Sequence, residues 1–309
     1  MKRERRALQI VSAAIGEGAR DSGCKYAASA LLASGIAQAL AEAGREVHAE
    51  TAVASDPLQA RDRMDTVARF NQALAEAVLP LAQGGAQLLV LGGDHSCAIG
   101  SWSGVAQALR PRGPLGLIWI DAHLDAHTPD SSESNAPHGM PLAALLGHGS
   151  AAFTQLFGWS GKIRPEHLAI LGARSYESAE RALLEALGVR VFYMEEVARR
   201  GFEACFAQAR AQVSAGCAGW GVSIDIDGLD PRDAPATGTP VAQGISLVEA
   251  TAALRGCRVD PRFVALEIVE YNPLQDFGGK TARAVQALAL AGLGQEVREV
   301  SPAWAAGSA

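Results

Sequence analysis

Trp119-Ile-Asp-Ala-His-Leu-Asp-Ala-His-Thr-Pro129 overlaps the end of a mostly apolar run, 115–120, and turns abruptly polar at Asp121, His123 and Asp125. Alternate side chains of a strand point the same way, so these three residues are expected to converge where the strand gives out. Two carboxylates and an imidazole crowded at the end of a buried strand repel one another and lose solvent unless something positive sits among them. A divalent cation meets that need. A strand that simply leaves the core and becomes polar would also read this way, and the rest of the chain decides between the two.

Outward from this stretch, short Val/Ile/Leu-rich runs alternate with longer Ala/Leu-rich amphipathic segments. Strands are expected over 7–14, 47–53, 87–91, 115–120, 168–171, 189–193, 219–224 and 263–268. Helices are expected over 26–43, 65–83, 102–109, 140–146, 178–187, 195–215, 246–255 and 281–293. Strand–helix alternation with continuously apolar strands predicts an α/β fold with a mostly parallel central sheet and helices on both faces, three layers in all. No linker, composition break or internal repeat divides residues 1–309, so one domain is expected.

In open α/β sheets ligands bind beyond the carboxyl ends of the strands, and four apolar runs here end in acids or histidines. They run into Gly92-Gly-Asp-His-Ser96, Asp121-Ala-His-Leu-Asp125, Asp225-Ile-Asp-Gly-Leu-Asp-Pro231 and Glu270-Tyr-Asn-Pro273. Pooled, the first three supply His95, Asp121, His123, Asp125, Asp225 and Asp227 as candidate ligands. Six are too many for one catalytic zinc, which keeps three protein ligands and a water. Carboxylates outnumbering imidazoles, with no thiolate, suit two divalent ions such as Mn²⁺, with Asp121 and Asp225 free to touch both. Paired metals activate water at neutral pH. Asp230, followed by Pro231, suits a turn cap better than a ligand.

Bulk properties narrow the partners. With 49% hydrophobic and 19% charged residues the chain has a substantial core, and a net charge of −6 argues against nucleic acid. Five scattered cysteines without a C-x-x-C fit a reducing cytoplasm. Met1-Lys-Arg-Glu-Arg-Arg6 and the apolar residues after it superficially resemble a signal peptide, but the apolar part is short and contains Gln9; a first strand is expected instead. No stretch is apolar for long enough to span a membrane.

Gly92-Gly-Asp-His95, Asp121-Ala-His-Leu-Asp125 and Ser223-Ile-Asp-Ile-Asp-Gly-Leu-Asp-Pro231 resemble the three signatures of the ureohydrolase (arginase/agmatinase) family, and the likeness runs from about Gly84 to Pro273. The resemblance implies a binuclear manganese centre, Ni²⁺ or Co²⁺ being other occupants, that hydrolyses a guanidino group to urea and an amine. It gives one ion His95, Asp121, Asp125 and Asp225, and the other Asp121, His123, Asp225 and Asp227. It makes His138 a proton shuttle, which an imidazole suits by its pKa near neutrality. It makes Glu270 the acid that pairs with the guanidinium. Glu267 lies three residues earlier, so a strand continuing to Glu270 would point the two to opposite faces, leaving one for the substrate. Thr239 matches a pocket position. The family further implies a homo-oligomer, trimer or hexamer.

The thirteen-residue step from Asp125 to His138 looks like the loop of arginase-type members, which convert L-arginine to L-ornithine and urea. Ser134 falls where those members contact the substrate carboxylate. His127 stands where they carry an asparagine, and Glu177 where an aspartate meets the α-ammonium. Another guanidino acid, guanidine, a biguanide or agmatine is therefore kept as an alternative substrate. The Gly/Pro-rich lead-in that lines the pocket mouth of relatives is hard to recognise around residues 16–28. A mononuclear zinc amidohydrolase or deacetylase, and a non-catalytic subunit of the same fold, are the rival readings.

Overall fold

The computed structural model describes residues 6–295. Eight strands form one sheet: β1 (Leu8–Ala14), β2 (Val47–Ala54), β3 (Gln87–Gly92), β4 (Leu115–Ile120), β5 (Ile163–Leu171), β6 (Arg190–Phe192), β7 (Gly219–Asp225) and β8 (Phe263–Val269). Their order is β2-β1-β3-β8-β7-β4-β5-β6, and every pairing is parallel. The helices are α1 (Ala27–Ala33), α2 (Ile36–Glu42), α3 (Arg63–Gln83), α4 (Ala98–Leu109), α5 (Pro141–Leu145) and α6 (Ala151–Thr154). They continue with α7 (Ser178–Leu187), α8 (Met194–Arg200), α9 (Phe202–Ser214), α10 (Leu247–Arg255) and α11 (Lys280–Leu293).

Strand alternation divides the core into two faces. Leu89, Leu91, Ile118, Ile120, Val222 and Ile224 pack with α1, α2 and α8–α11. Their neighbours Leu88, Val90, Leu117 and Trp119 pack with α3–α7 on the other side. Both sides of the central strands are therefore apolar, which is why these runs read as continuous rather than alternating. Among the described residues, no helix is long and apolar enough to cross a membrane.

Two expected helices are each a pair. The segment 26–43 breaks at Gly35, whose φ of 86° is left-handed, and 195–215 breaks at Gly201, with φ of 85°. Each glycine sat inside a helical periodicity that concealed a stop. The helices expected at 65 and 102 start earlier, at Arg63 and Ala98, and the strand expected at 168 starts at Ile163. Asp62 caps α3 by accepting from the Asp65 N–H at 2.9 Å, a signal that the apolar count ignored. The strand reading of the amino-terminal apolar segment holds: Leu8–Ala14 is β1, between β2 and β3. Residues 1–5 and 296–309 lie outside the described part.

Candidate metal centre and substrate pocket

The carboxyl ends of β3, β4, β7 and β8 are neighbours in the sheet, and the polar motifs that follow them meet there. Gly93 makes room for that meeting: a Cβ on it would lie 1.7 Å from the Ile15 carbonyl oxygen. Asp94 then starts a tight turn, accepting from the N–H groups of Ser96 (3.0 Å) and Gly18 (2.8 Å), and the turn delivers His95 to the centre.

His95 is fully buried and fixed on three sides. Its ring stacks on Trp119 with centroids 3.9 Å apart. Its backbone N–H donates to Glu270 Oε1 at 2.9 Å. Its Nε2 lies 3.0 Å from Ser223 Oγ, whose hydroxyl donates to Glu267 Oε2 at 2.7 Å. With the serine proton committed to a carboxylate, Ser223 accepts from Nε2–H and Nδ1 is left bare. That Nδ1 is buried without a hydrogen-bond partner, yet lies 3.3, 3.0 and 3.3 Å from carboxylate oxygens of Asp121, Asp125 and Asp225. A lone pair aimed at three carboxylates is the arrangement of ligands around a cation.

Two groups have the spacing of a metal site: His95, Asp121 and Asp225, then Asp121, His123 and Asp227. Asp125 joins the first through its 3.0 Å approach to His95. Asp121 belongs to both groups; Asp225 falls in the first alone. In the second group His123 Nδ1 stands 3.1 Å from Asp227 and 3.4 Å from Asp121. The electrostatics suit a cation among these groups. Burial and the Asp121 charge push Asp125 up to about 7, and burial with the Asp227 and Asp121 charges holds Asp225 well above the usual carboxylate range. Burial alone would lower His95, but the three carboxylates outweigh it and raise it. Each of these shifts is one that a cation seated between the groups would reverse.

The expected mode of convergence was wrong. Strand β4 ends at Ile120, and Asp125 takes a left-handed φ of 47°. A strained loop, rather than strand alternation, turns Asp121, His123 and Asp125 inward. Glu270 is similar: β8 ends at Val269 and Glu270 has a φ of 62°, so the turn separates it from Glu267. Glu270 contacts the cavity-lining His138 and the His95 N–H but does not itself line the cavity. Glu267 is buried, accepting from Ser223, Trp102 Nε1 (2.6 Å) and Ser101 Oγ (2.5 Å). Asp230 caps a turn, taking the Arg232 and Gly244 N–H groups.

Beside the cluster, His138 Nδ1 lies 3.1 Å from Glu270 Oε1. Burial opposes the charged imidazole, but the Glu270 hydrogen bond and charge outweigh it and raise His138 to about 9. Thr239 donates to Asp227 Oδ2 at 2.9 Å. A cavity of about 240 Å³ opens from His123, Asp125, Asp225, His138 and Thr239. Its outer wall carries His127, Ser134, Tyr176, Glu177 and Glu180. Here His127 is already engaged: Nδ1 meets Ser131 Oγ at 3.1 Å, and Nε2 faces Glu180 at 3.4 Å and Glu177 at 3.5 Å. Glu180, unmentioned by any motif, also accepts from the N–H groups of Ala126 (3.1 Å) and Glu177 (2.9 Å). No residue of 16–28 lines this cavity; Gly18 buttresses it from behind, accepting from the His138 N–H at 3.3 Å. Arg174 was also missed. Its guanidinium donates to the carbonyls of Asp227 (2.7 Å) and Val241 (2.8 Å), pinning the β7 loop behind the carboxylates.

Residues 6–294 match the family model described as Arginase family. The chain belongs to the arginase family. Among curated members, the arginase of Bacillus caldovelox is 42% identical over 73% of this chain and 74% of its own length. The arginase of Bacillus subtilis (strain 168) is 39% identical over 76% and 78%. The crystal structure of the B. subtilis arginase superimposes with a TM-score of 0.87 at 34% identity, covering 94% of this chain and 100% of that one. The native B. caldovelox arginase gives 0.86 at 34% identity, covering 94% and 99%. Formimidoylglutamase from B. subtilis, at 22% identity and a TM-score of 0.76, shares the fold. As an arginase-family member the chain is a metal-binding ureohydrolase, cleaving a small guanidino substrate to urea and an amine.

Proposed function

We propose that this chain hydrolyses L-arginine to L-ornithine and urea, with two Mn²⁺ ions held by His95, Asp121, His123, Asp125, Asp225 and Asp227. The observation that carries the reading is the bare His95 Nδ1 among three carboxylates, adjoining a second group that shares Asp121. Hard oxygen donors with two imidazoles favour Mn²⁺, while Ni²⁺ and Co²⁺ fit the same donors. Bound there, the ion pair would supply an activated water at neutral pH.

The protein groups do the remainder. Glu270 gives Oε1 to the His95 N–H and His138, leaving Oε2 to accept guanidinium N–H bonds and orient the planar carbon over the cluster. His138, its Nδ1 directed at Glu270, keeps Nε2 for passing a proton to the departing amine. Thr239 holds Asp227 in place. Ser134, His127 and Glu177 face the far end of the substrate. That end supports a second reading, a different guanidino compound, because His127 is engaged by Ser131 and Glu180 rather than free to bind a carboxylate.

The reading includes a cytoplasmic homo-oligomer, trimer or hexamer. Five buried, unpaired cysteines support the reducing compartment, and light scattering of the purified protein gives the subunit number. The deciding assay loads the protein with Mn²⁺, Ni²⁺ or Co²⁺ and measures urea from L-arginine, agmatine, guanidinobutyrate, guanidinopropionate, guanidine and a biguanide. L-Arginine with Mn²⁺ is expected to lead. Metal-loaded protein that releases no urea from any of them ends the proposal.

A further inference from the structure

At the opposite end of the sheet, roughly 20 Å along β4 from the metal cluster, a second cleft opens beside the paired strand starts Leu115 and Ile163. Its volume is about 230 Å³, close to that of the substrate cavity. Three cations line it: Arg110 at the end of α4, and Lys162 and Arg164 at the start of β5. None of them pairs with a carboxylate among the described residues, whereas Arg181, Arg190, Arg200, Arg232 and Arg262 each do. Nor do Arg110 and Arg164 donate a side-chain hydrogen bond to any described residue.

Lys162 is the unusual member. The residue is only 4% exposed, and lysine is rarely buried that far without a counter-charge. Its ammonium meets only the Thr154 carbonyl (3.1 Å), the Trp159 carbonyl and the face of the Trp159 ring (4.4 Å). An ammonium has three donors, so one is left over. Burial and the Arg110 charge lower it to about 8. In the loop presenting Trp159, Phe157 takes a left-handed φ of 57°, rare for so bulky a residue, ahead of Gly158 and Gly161, which adopt theirs (74° and 69°) freely. Trp159 is covered by Arg110, 4.7 Å away, as well as by Lys162, so its ring is not free to stack on a base. These contacts and the small volume of the cleft favour a compact ligand.

We propose that the Arg110–Lys162–Arg164 cleft binds a compact oxyanion of the phosphate or sulfate type. Two guanidinium forks and a spare ammonium donor match tetrahedral oxygens, and the anion would supply the counter-charge these groups lack. Either free phosphate or the phosphate of a small ester fits that description.

Titration calorimetry of the metal-loaded protein with sodium sulfate is the test, since sulfate does not titrate near neutrality. Arg110→Gln/Arg164→Gln alters two exposed side chains and keeps the fold, so any sulfate bound at the metal cluster is common to both proteins. Binding is expected in the millimolar range, about tenfold or more weaker in the double variant, with urea release unchanged. Lys162→Met is expected to weaken it similarly. Inorganic phosphate compared with glycerol phosphate then identifies the source, the tighter of the two being the natural type. Absence of sulfate heat in the wild type, or an isotherm unchanged in the double variant, overturns the proposal. Neither result touches the ureohydrolase reading, which calorimetry at this cleft does not measure.

Discussion

The floor and the rim of the substrate cavity are built on different terms. At the floor, His95, Asp121, Asp225 and Asp227 are buried, and each has a partner that fixes its angle: Trp119 and Ser223 for His95, Trp119 Nε1 for Asp121 (2.9 Å), the Asp227 N–H for Asp225 (2.8 Å), Thr239 for Asp227. At the rim, the Glu177 side chain is 59% exposed and Ser134 sits on a loop held by Arg63, which donates to the neighbouring Asn135 carbonyl at 2.7 Å. Buried, cross-braced groups define a reaction; exposed groups on loops choose among substrates and change at small cost to the fold. The difference implies that substitutions at the floor abolish chemistry, and those at the rim adjust affinity.

The largest break is expected from Asp225→Ala. It removes a carboxylate from the His95 group and leaves its neighbours' charges uncompensated. Urea release should fall roughly a thousandfold or more, with loss of bound metal by elemental analysis. Full metal content with normal turnover would show that the floor is not the catalytic centre. Chelation of the wild type should lower both activity and melting temperature, because ions bound only by the folded state stabilise it.

One step out, Glu267→Gln tests whether bracing matters as much as ligation. The Ser223 hydroxyl would lose its charged acceptor, so the His95 tautomer is no longer enforced. Metal affinity is expected to drop about 10- to 100-fold, the usual scale for such partners, while saturating metal restores most turnover. A variant with unchanged metal affinity would mean that stacking on Trp119 suffices to hold the ring.

His138→Asn follows in size. Turnover should fall about a hundredfold, and the pH profile gives a sharper test. His138 is raised to about 9, so its transferable proton is present below that value and lost as pH rises through it. The wild type should therefore lose turnover as pH climbs through about 9, and the variant should lack that alkaline limb.

The sequence made the floor legible because metal ligands need particular side chains at fixed spacings beyond strand ends, and such spacings survive in one dimension. The six candidate ligands do meet, though the loop conformation of Asp125 and the left-handed Glu270 were invisible: alternation rules describe regular strands, and both residues lie just past one. Ser223 stood inside a motif without a role, and Glu267 was weighed only as an alternative to Glu270, since their contact depends on β7 and β8 being adjacent and in register. Helix breaks at Gly35 and Gly201 were hidden by a periodicity that continued across them. The Glu180–His127 contact joins a loop to the first turn of α7, 53 positions apart, and no local pattern announces it.

The smallest effects should come from the rim, where His127→Asn and Glu177→Asp are the informative changes. Glu177 is largely solvated, so its attraction for a substrate ammonium is screened and amounts to no more than about 1 kcal/mol. Shortening it by a methylene should raise KM up to about fivefold with kcat unchanged, the signature of binding lost equally in ground and transition states. His127→Asn removes the ring that meets Ser131 and Glu180, leaving Glu180 on the cavity wall held by the Ala126 and Glu177 N–H groups. If the histidine serves the wall rather than the substrate, L-arginine and agmatine should respond alike, because neither the carboxylate nor its absence is sensed at that position. If KM for L-arginine alone shifts, His127 touches the substrate carboxylate, and the rim is as closely fitted to its ligand as the floor.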